Sequence, residues 1–309
     1  MMTILDNSVH LRLAGFAMAV CLAYAQPDEL AAARSYLQRN MLPAAEAEAR
    51  RIITAHPDSA NAHYLLGYIL FRQSKARESL AEYTEAAKYR KPSAADLRVV
   101  GADYVLLNAY GDADKWFTKA TEFDPSNVLG WYYLGRTKYN ENRFEEAIAA
   151  FKRCLDLAPR HVRAEDNLGL SYQGLGKSEE AFQAFRNAIE WQKDSPEKDP
   201  WPYIDMGSFL LESNRAEEAI PYLEQAIAMV PQSPKAHHQL GKAYLALKQY
   251  AKAQPELEAA VKLDPNNAPA HYVLGQLYQK QGQAEKAKQE FARYSQLNSN
   301  KSNGTDRPD

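Results

Sequence analysis

Cysteine is nearly absent: Cys21 and Cys154 are the two among 309 residues, too few for a disulfide framework to staple the chain. A basic excess is missing as well. Lys+Arg number 37 against Asp+Glu 39, a net charge of −2 at pH 7, so little holds a phosphate backbone and nucleic acid is not an expected partner. Long apolar runs are also lacking. The apolar stretch from Leu13 to Ala25 falls short of the about 20 residues that cross a bilayer, so no stable membrane span is expected. It closes on Ala23-Tyr24-Ala25, the small-residue pattern of a secretory cleavage site. Residues 1–25 are therefore expected to be a signal peptide that delivers the chain to the periplasm or outside the cell. Asp6 offsets Arg12 in the leading segment, and the cytoplasm is the alternative destination.

Catalytic spacing is missing too. Gly174-Leu-Gly176-Lys177-Ser178 imitates the end of a phosphate loop, but Ser171 stands where its first glycine belongs and no strand precedes it. His63, His237 and His271 share one position in a repeating pattern, which spreads them along the chain instead of clustering them as metal ligands. Cys154 occupies a small core position and has no evident histidine to activate it. No enzyme, metal or cofactor is expected.

What the chain does have is repetition. Gly67, Gly101, Gly135 and Gly169 recur every 34 residues, and after a 38-residue gap Gly207, Gly241 and Gly275 resume the count. Pro57, Pro125, Pro159, Pro231 and Pro265 keep the same period with the same extra four residues. Small residues form a third ladder at Ser79, Ala113, Ala147, Ala181, Ala219, Ala253 and Ala287, with bulk at Tyr83, Phe117, Phe151, Phe185, Leu223, Leu257 and Phe291 beside it. Each unit holds an apolar 3.6-period run, a polar turn and a second such run, which is a helical hairpin. Glycine inside a helix costs about 1 kcal/mol relative to alanine, so seven in register imply close approach of the paired helix. Proline then ends the second helix.

With Trp131-x2-Leu134-Gly135, Ala147, Phe151 and Pro159 in place, the chain resembles the tetratricopeptide repeat family. The resemblance implies an all-α fold, a right-handed superhelical solenoid of about eight repeats over residues 26–297. Units are expected to begin near 26, 60, 94, 128, 162, 200, 234 and 268, with a disordered polar tail over 298–309. Two breaks interrupt the rhythm: an insertion within 193–199 and Pro255 inside a second helix, where a kink is expected.

The resemblance also implies a groove lined by the first helix of each unit. Its expected residues are Tyr64, Tyr68, Arg98, Tyr132, Arg136, Tyr139, Arg163, Trp201, Lys235, His238, Lys242 and Tyr272, an aromatic and basic set with few acids beyond Asp166 and Glu212. Rings as rigid anchors and arginine forks suit a protein or peptide segment carrying aromatic or acidic side chains. The trio of a carboxylate clamp for chaperone tails is not matched, because Tyr132 and Arg136 stand where Lys and Asn belong. The expected function is a non-enzymatic scaffold for protein binding. A structural assembly factor of the bacterial envelope, acting through its end repeats, and a regulatory partner of a separate enzyme are alternatives.

Overall fold

The computed structural model describes residues 28–304, so the segment read as a signal peptide lies outside the described residues. Sixteen helices follow one another there with no strand between them. They pair as hairpins: α1 (Ala31–Gln38) with α2 (Leu42–Ala55), α3 (Ala60–Arg72) with α4 (Ala76–Tyr89), α5 (Ala94–Leu106) with α6 (Tyr110–Phe123), and α7 (Val128–Asn140) with α8 (Phe144–Leu157). The second half continues with α9 (Val162–Gly174) and α10 (Ser178–Lys193), α11 (Trp201–Glu212) and α12 (Ala216–Met229), α13 (Pro234–Ala246) and α14 (Tyr250–Leu263), then α15 (Ala268–Lys280) and α16 (Ala284–Gly304). Each hairpin stacks on the next, giving an all-α solenoid.

The glycine ladder marks where paired helices meet. A Cβ on Gly135 would lie 2.6 Å from the Phe151 ring, and one on Gly241 would lie 2.5 Å from Leu257. Phe117, Phe151 and Phe185 are fully enclosed as a result, flanked by Ala113, Ala147 and Ala181 with no exposed surface. Burying each such ring contributes about 1.5–3 kcal/mol, which outweighs the helical cost of the glycine that admits it.

Helix ends repeat as closely. The C-cap residues His56, Asp124, Ala158, Val230 and Asp264 share φ between −134° and −136° with ψ between 79° and 89°, and each precedes a ladder proline, whose ring drives the residue before it out of the helical region. At the start of the next unit, side chains of Ser93, Asn127, His161, Ser233 and Asn267 accept a backbone N–H three residues on. Trp131 ties these segments together by donating its Nε1–H to the Pro125 carbonyl at 2.9 Å. At the same position His63, His237 and His271 direct Nε2 to the carbonyls of Pro57, Pro231 and Pro265, while Nδ1 meets the carboxylates of Glu82, Glu256 and Glu290.

The last helix, α16, runs on to Gly304, past residue 298, where the polar tail is expected to begin. Pro255 sits within an unbroken α14, and Pro221, not singled out in the sequence, sits likewise within α12.

A candidate peptide groove over a buried carboxyl cluster

The first helices of successive hairpins, α7, α9, α11 and α13, share one face, and a hollow of about 460 Å³ crosses all four. Tyr132, Arg136 and Tyr139 enter from α7, Arg163 and Asp166 from α9, Trp201 and Asp205 from α11, and Lys235 from α13. The remaining wall includes Asn140, Asn167, Leu170 and Asp199. Six residues expected from the sequence are thereby brought together.

Its walls are aromatic. Tyr132 is buried against Tyr133, Phe151 and His161, with ring centroids 5.4, 6.3 and 5.2 Å apart. The Arg136 guanidinium lies 5.8 Å from the Tyr132 centroid and makes no ion pair with a described residue. Trp201 is 47% exposed, with the Lys235 ammonium 4.5 Å above its ring. That contact is a cation–π pair at the rim.

The floor is more acidic than the expected Asp166 alone, with Asp199 and Asp205 beside it. Asp166, Asp199 and Asp205 are 3%, 6% and 6% exposed. Asp199 comes from the four-residue insertion: its Oδ2 accepts from Arg163 Nε at 2.8 Å, and its Oδ1 accepts the Trp201 backbone N–H at 3.1 Å. The carboxylate therefore holds an arginine and the start of α11 at once. Lys235 Nζ stands 3.5 Å from Asp205 Oδ1. Asp166 shares a hydrogen bond with Asp205, and its Oδ1 is enclosed with no described donor. Burial, and then the charges of Asp205 and Asp199, push the Asp166 carboxyl well above the usual carboxylate range. Burial raises Asp205 too, opposed by Lys235. Arg163 and Lys235 are thus already engaged by the protein, so the hollow is less basic than its list of cations suggests. Asp205 lies one helical turn beyond Trp201, a spacing that could have placed it on the same face.

The other expected residues lie outside this hollow. Tyr64 is buried, donating its hydroxyl to the Arg90 carbonyl at 2.7 Å with its ring 5.6 Å from Tyr83, so it fills space between repeats. Tyr68 packs on Phe71 at 6.2 Å. Arg98 lies 6.0 Å from the Tyr133 ring. His238 on α13 is buried with Nε2 unpartnered among described residues, and burial, then Lys242 and Lys235, push it down to about 4. Tyr272 is 42% exposed and packs at a tilt against Tyr294, ring centroids 5.1 Å apart. Cys154 is enclosed, and burial pushes its thiol up to about 11. A second, wider hollow of about 960 Å³ opens between α10 and α12, lined by Arg186, Glu190 and Tyr222 among others.

Stacked hairpins that share a glycine–ring contact, a proline stop and a face of first helices define a helical repeat solenoid. The chain belongs to the tetratricopeptide repeat family: four profiles so described match residues 30–95, 128–161, 160–232, and the pair 210–259 and 246–303. Among curated proteins it is 24% identical over 162 residues to the tetratricopeptide repeat-containing protein trd-1 of Caenorhabditis elegans, covering 52% of this chain and 20% of that one. It is 34% identical over 90 residues to the peroxisomal targeting signal receptor of Kluyveromyces lactis, covering 29% of this chain and 16% of the relative. The chain thus spans about a fifth or less of the length of these relatives. A solved tetratricopeptide repeat protein from Parabacteroides merdae shares the fold with a TM-score of 0.66 at 18% identity, over 79% of this chain and 95% of that one. No helix among the described residues is long and apolar enough to cross a membrane.

Proposed function

We propose that the chain is a non-enzymatic scaffold that holds an extended segment of a partner protein along the face of its first helices. The hollow across α7, α9, α11 and α13 carries this reading, because it joins exposed aromatic surface to polar groups within one continuous channel. Trp201 offers a rigid anchor at its rim, and Arg136 offers a fork with no ion-pair partner among the described residues. One relative is by name a receptor for a targeting signal, which fits a capture role. Aromatic and acidic side chains of the partner would meet Trp201 and Arg136 respectively.

The test is capture of partners from the native host by full-length protein, followed by mass spectrometry. With Arg98, Arg136 and Arg163 changed together to Glu, the captured set is expected to fall about tenfold or more, as loss of a few charge-assisted contacts implies. An unchanged set from a folded variant would sink the proposal.

A further inference from the structure

Three carboxyls lie beneath the groove, and the protein supplies two cations to them. Arg163 answers Asp199 at 2.8 Å and Lys235 answers Asp205 at 3.5 Å. Asp166 has neither. It is 3% exposed, its Oδ1 is enclosed without a described donor, and its polar neighbour is another acid, Asp205. Arg136 does not fill the vacancy, because its guanidinium rests against the Tyr132 ring at the rim and pairs with no described carboxylate. A buried acceptor left without a donor is destabilising, and a free charge there more so. The site is one cation short.

We propose that this pocket receives one basic side chain, a lysine or arginine, of the bound segment, with its N–H groups directed at the Asp166 carboxyl and its stem along Tyr139 and Trp201. The inference rests on the groove reading and adds the chemistry of one residue of the partner. At Asp166 itself an ammonium fits where an anion does not, since Arg163 and Lys235 are already paired with Asp199 and Asp205. The aromatic walls reinforce the choice, because ring faces attract cations.

Below its raised titration the Asp166 carboxyl keeps its proton and shares a hydrogen bond with Asp205, since burial and the neighbouring acid disfavour its charge. When the cation arrives, an N–H···O bond to Asp166 forms, the shared O–H···O bond breaks, and that proton passes to solvent. One positive charge enters and one leaves. Binding therefore tightens as pH rises toward the raised Asp166 titration, by up to about tenfold per pH unit. The groups facing the pair are Arg163 on α9, Asp199 before α11, Lys235 on α13, and Tyr139 and Arg136 on α7. Burial and then Asp205 and Glu212 push Tyr139 upward, so the carboxyls set the profile.

The probe is n-butylammonium chloride, with n-butanol and sodium butyrate as its neutral and anionic counterparts, titrated into the full-length protein and followed by amide NMR. Saturable shifts at Asn167, Leu170 and Asp205 are expected for butylammonium alone, several-fold tighter at pH 7.5 than at pH 5.5. Asp166→Asn keeps the shape of the protonated acid and should abolish both the saturable shift and its pH dependence. Trp201→Ala, at an exposed rim position, should weaken binding several-fold, and it decides the matter if the first variant fails to fold. Equal shifts with butanol or butyrate, no saturable shift with butylammonium, or wild-type binding by folded Asp166→Asn overturns the proposal. Loss of butylammonium binding with partner capture still dependent on the three arginines refutes this pocket alone, whereas capture insensitive to those arginines refutes the groove.

Discussion

A buried acid in the third hairpin shows how one side chain can set the pH response of the fold. Asp103 on α5 is fully enclosed, and the Ser79 hydroxyl lies 2.6 Å from its Oδ2 and 2.8 Å from the Gly67 carbonyl. A hydroxyl has one proton to give. If it serves the carbonyl, Asp103 must bring its own, and burial does push this carboxyl up to about 7 against a usual 3.8. Below 3.8 the group is neutral whether the chain is folded or not. As pH rises from there to about 7, the unfolded chain releases the proton and the folded one keeps it, so stability falls, by roughly 4 kcal/mol for a shift of about three units. Asp103→Asn should therefore match the wild type near pH 4 and be more stable by a few kcal/mol near pH 8, read from urea unfolding at both values. An equal difference at both would show that the acid is not the cause.

At the scale of the helix pair, two effects of opposite sign meet at the ladder glycines. Gly135→Ala gains about 1 kcal/mol in helix propensity, but its methyl would sit 2.6 Å from the Phe151 ring, and overpacking costs about 1–3 kcal/mol. The clash should win, lowering the thermal midpoint where an exposed helical Gly→Ala change would raise it; differential scanning calorimetry distinguishes the two. Such contacts are why the hairpins were legible in the sequence: each ladder is a steric demand made again every 34 residues. A ladder defined by a dihedral angle was harder to read. Asn40, Ser74, Asn108, Asn142, Asn214 and Lys248 all take φ between 56° and 61°, and Gly176 and Gly282 adopt 71° and 75° at the same turn. Side-chain identity varies there because Asn tolerates the left-handed region and the turn needs only the backbone. The site was legible in part for a related reason. Position within the repeat put Tyr64 and Tyr132 on the inner face without revealing that they are buried there, and Asp199 belongs to an insertion that has no repeat position.

Across the whole molecule, hairpins touch mainly their neighbours, so stability should be regional. Phe151→Ala empties a fully buried site between α7 and α8, at a cost of about 3–5 kcal/mol. Hydrogen exchange should then accelerate through α7–α10 and change little in α13–α16; uniform acceleration along the chain would indicate a single cooperative unit instead. The insertion before α11 bears on the same periodicity from another side. A groove built of like units presents an extended ligand with several equivalent registers, each 34 residues of scaffold apart, and a segment could slide from one to the next at little cost. By placing Asp199 beneath Trp201, the irregular junction makes one position unlike the rest. On the proposed groove reading, this junction would act as an address on an otherwise periodic track, the place where a bound segment comes to rest.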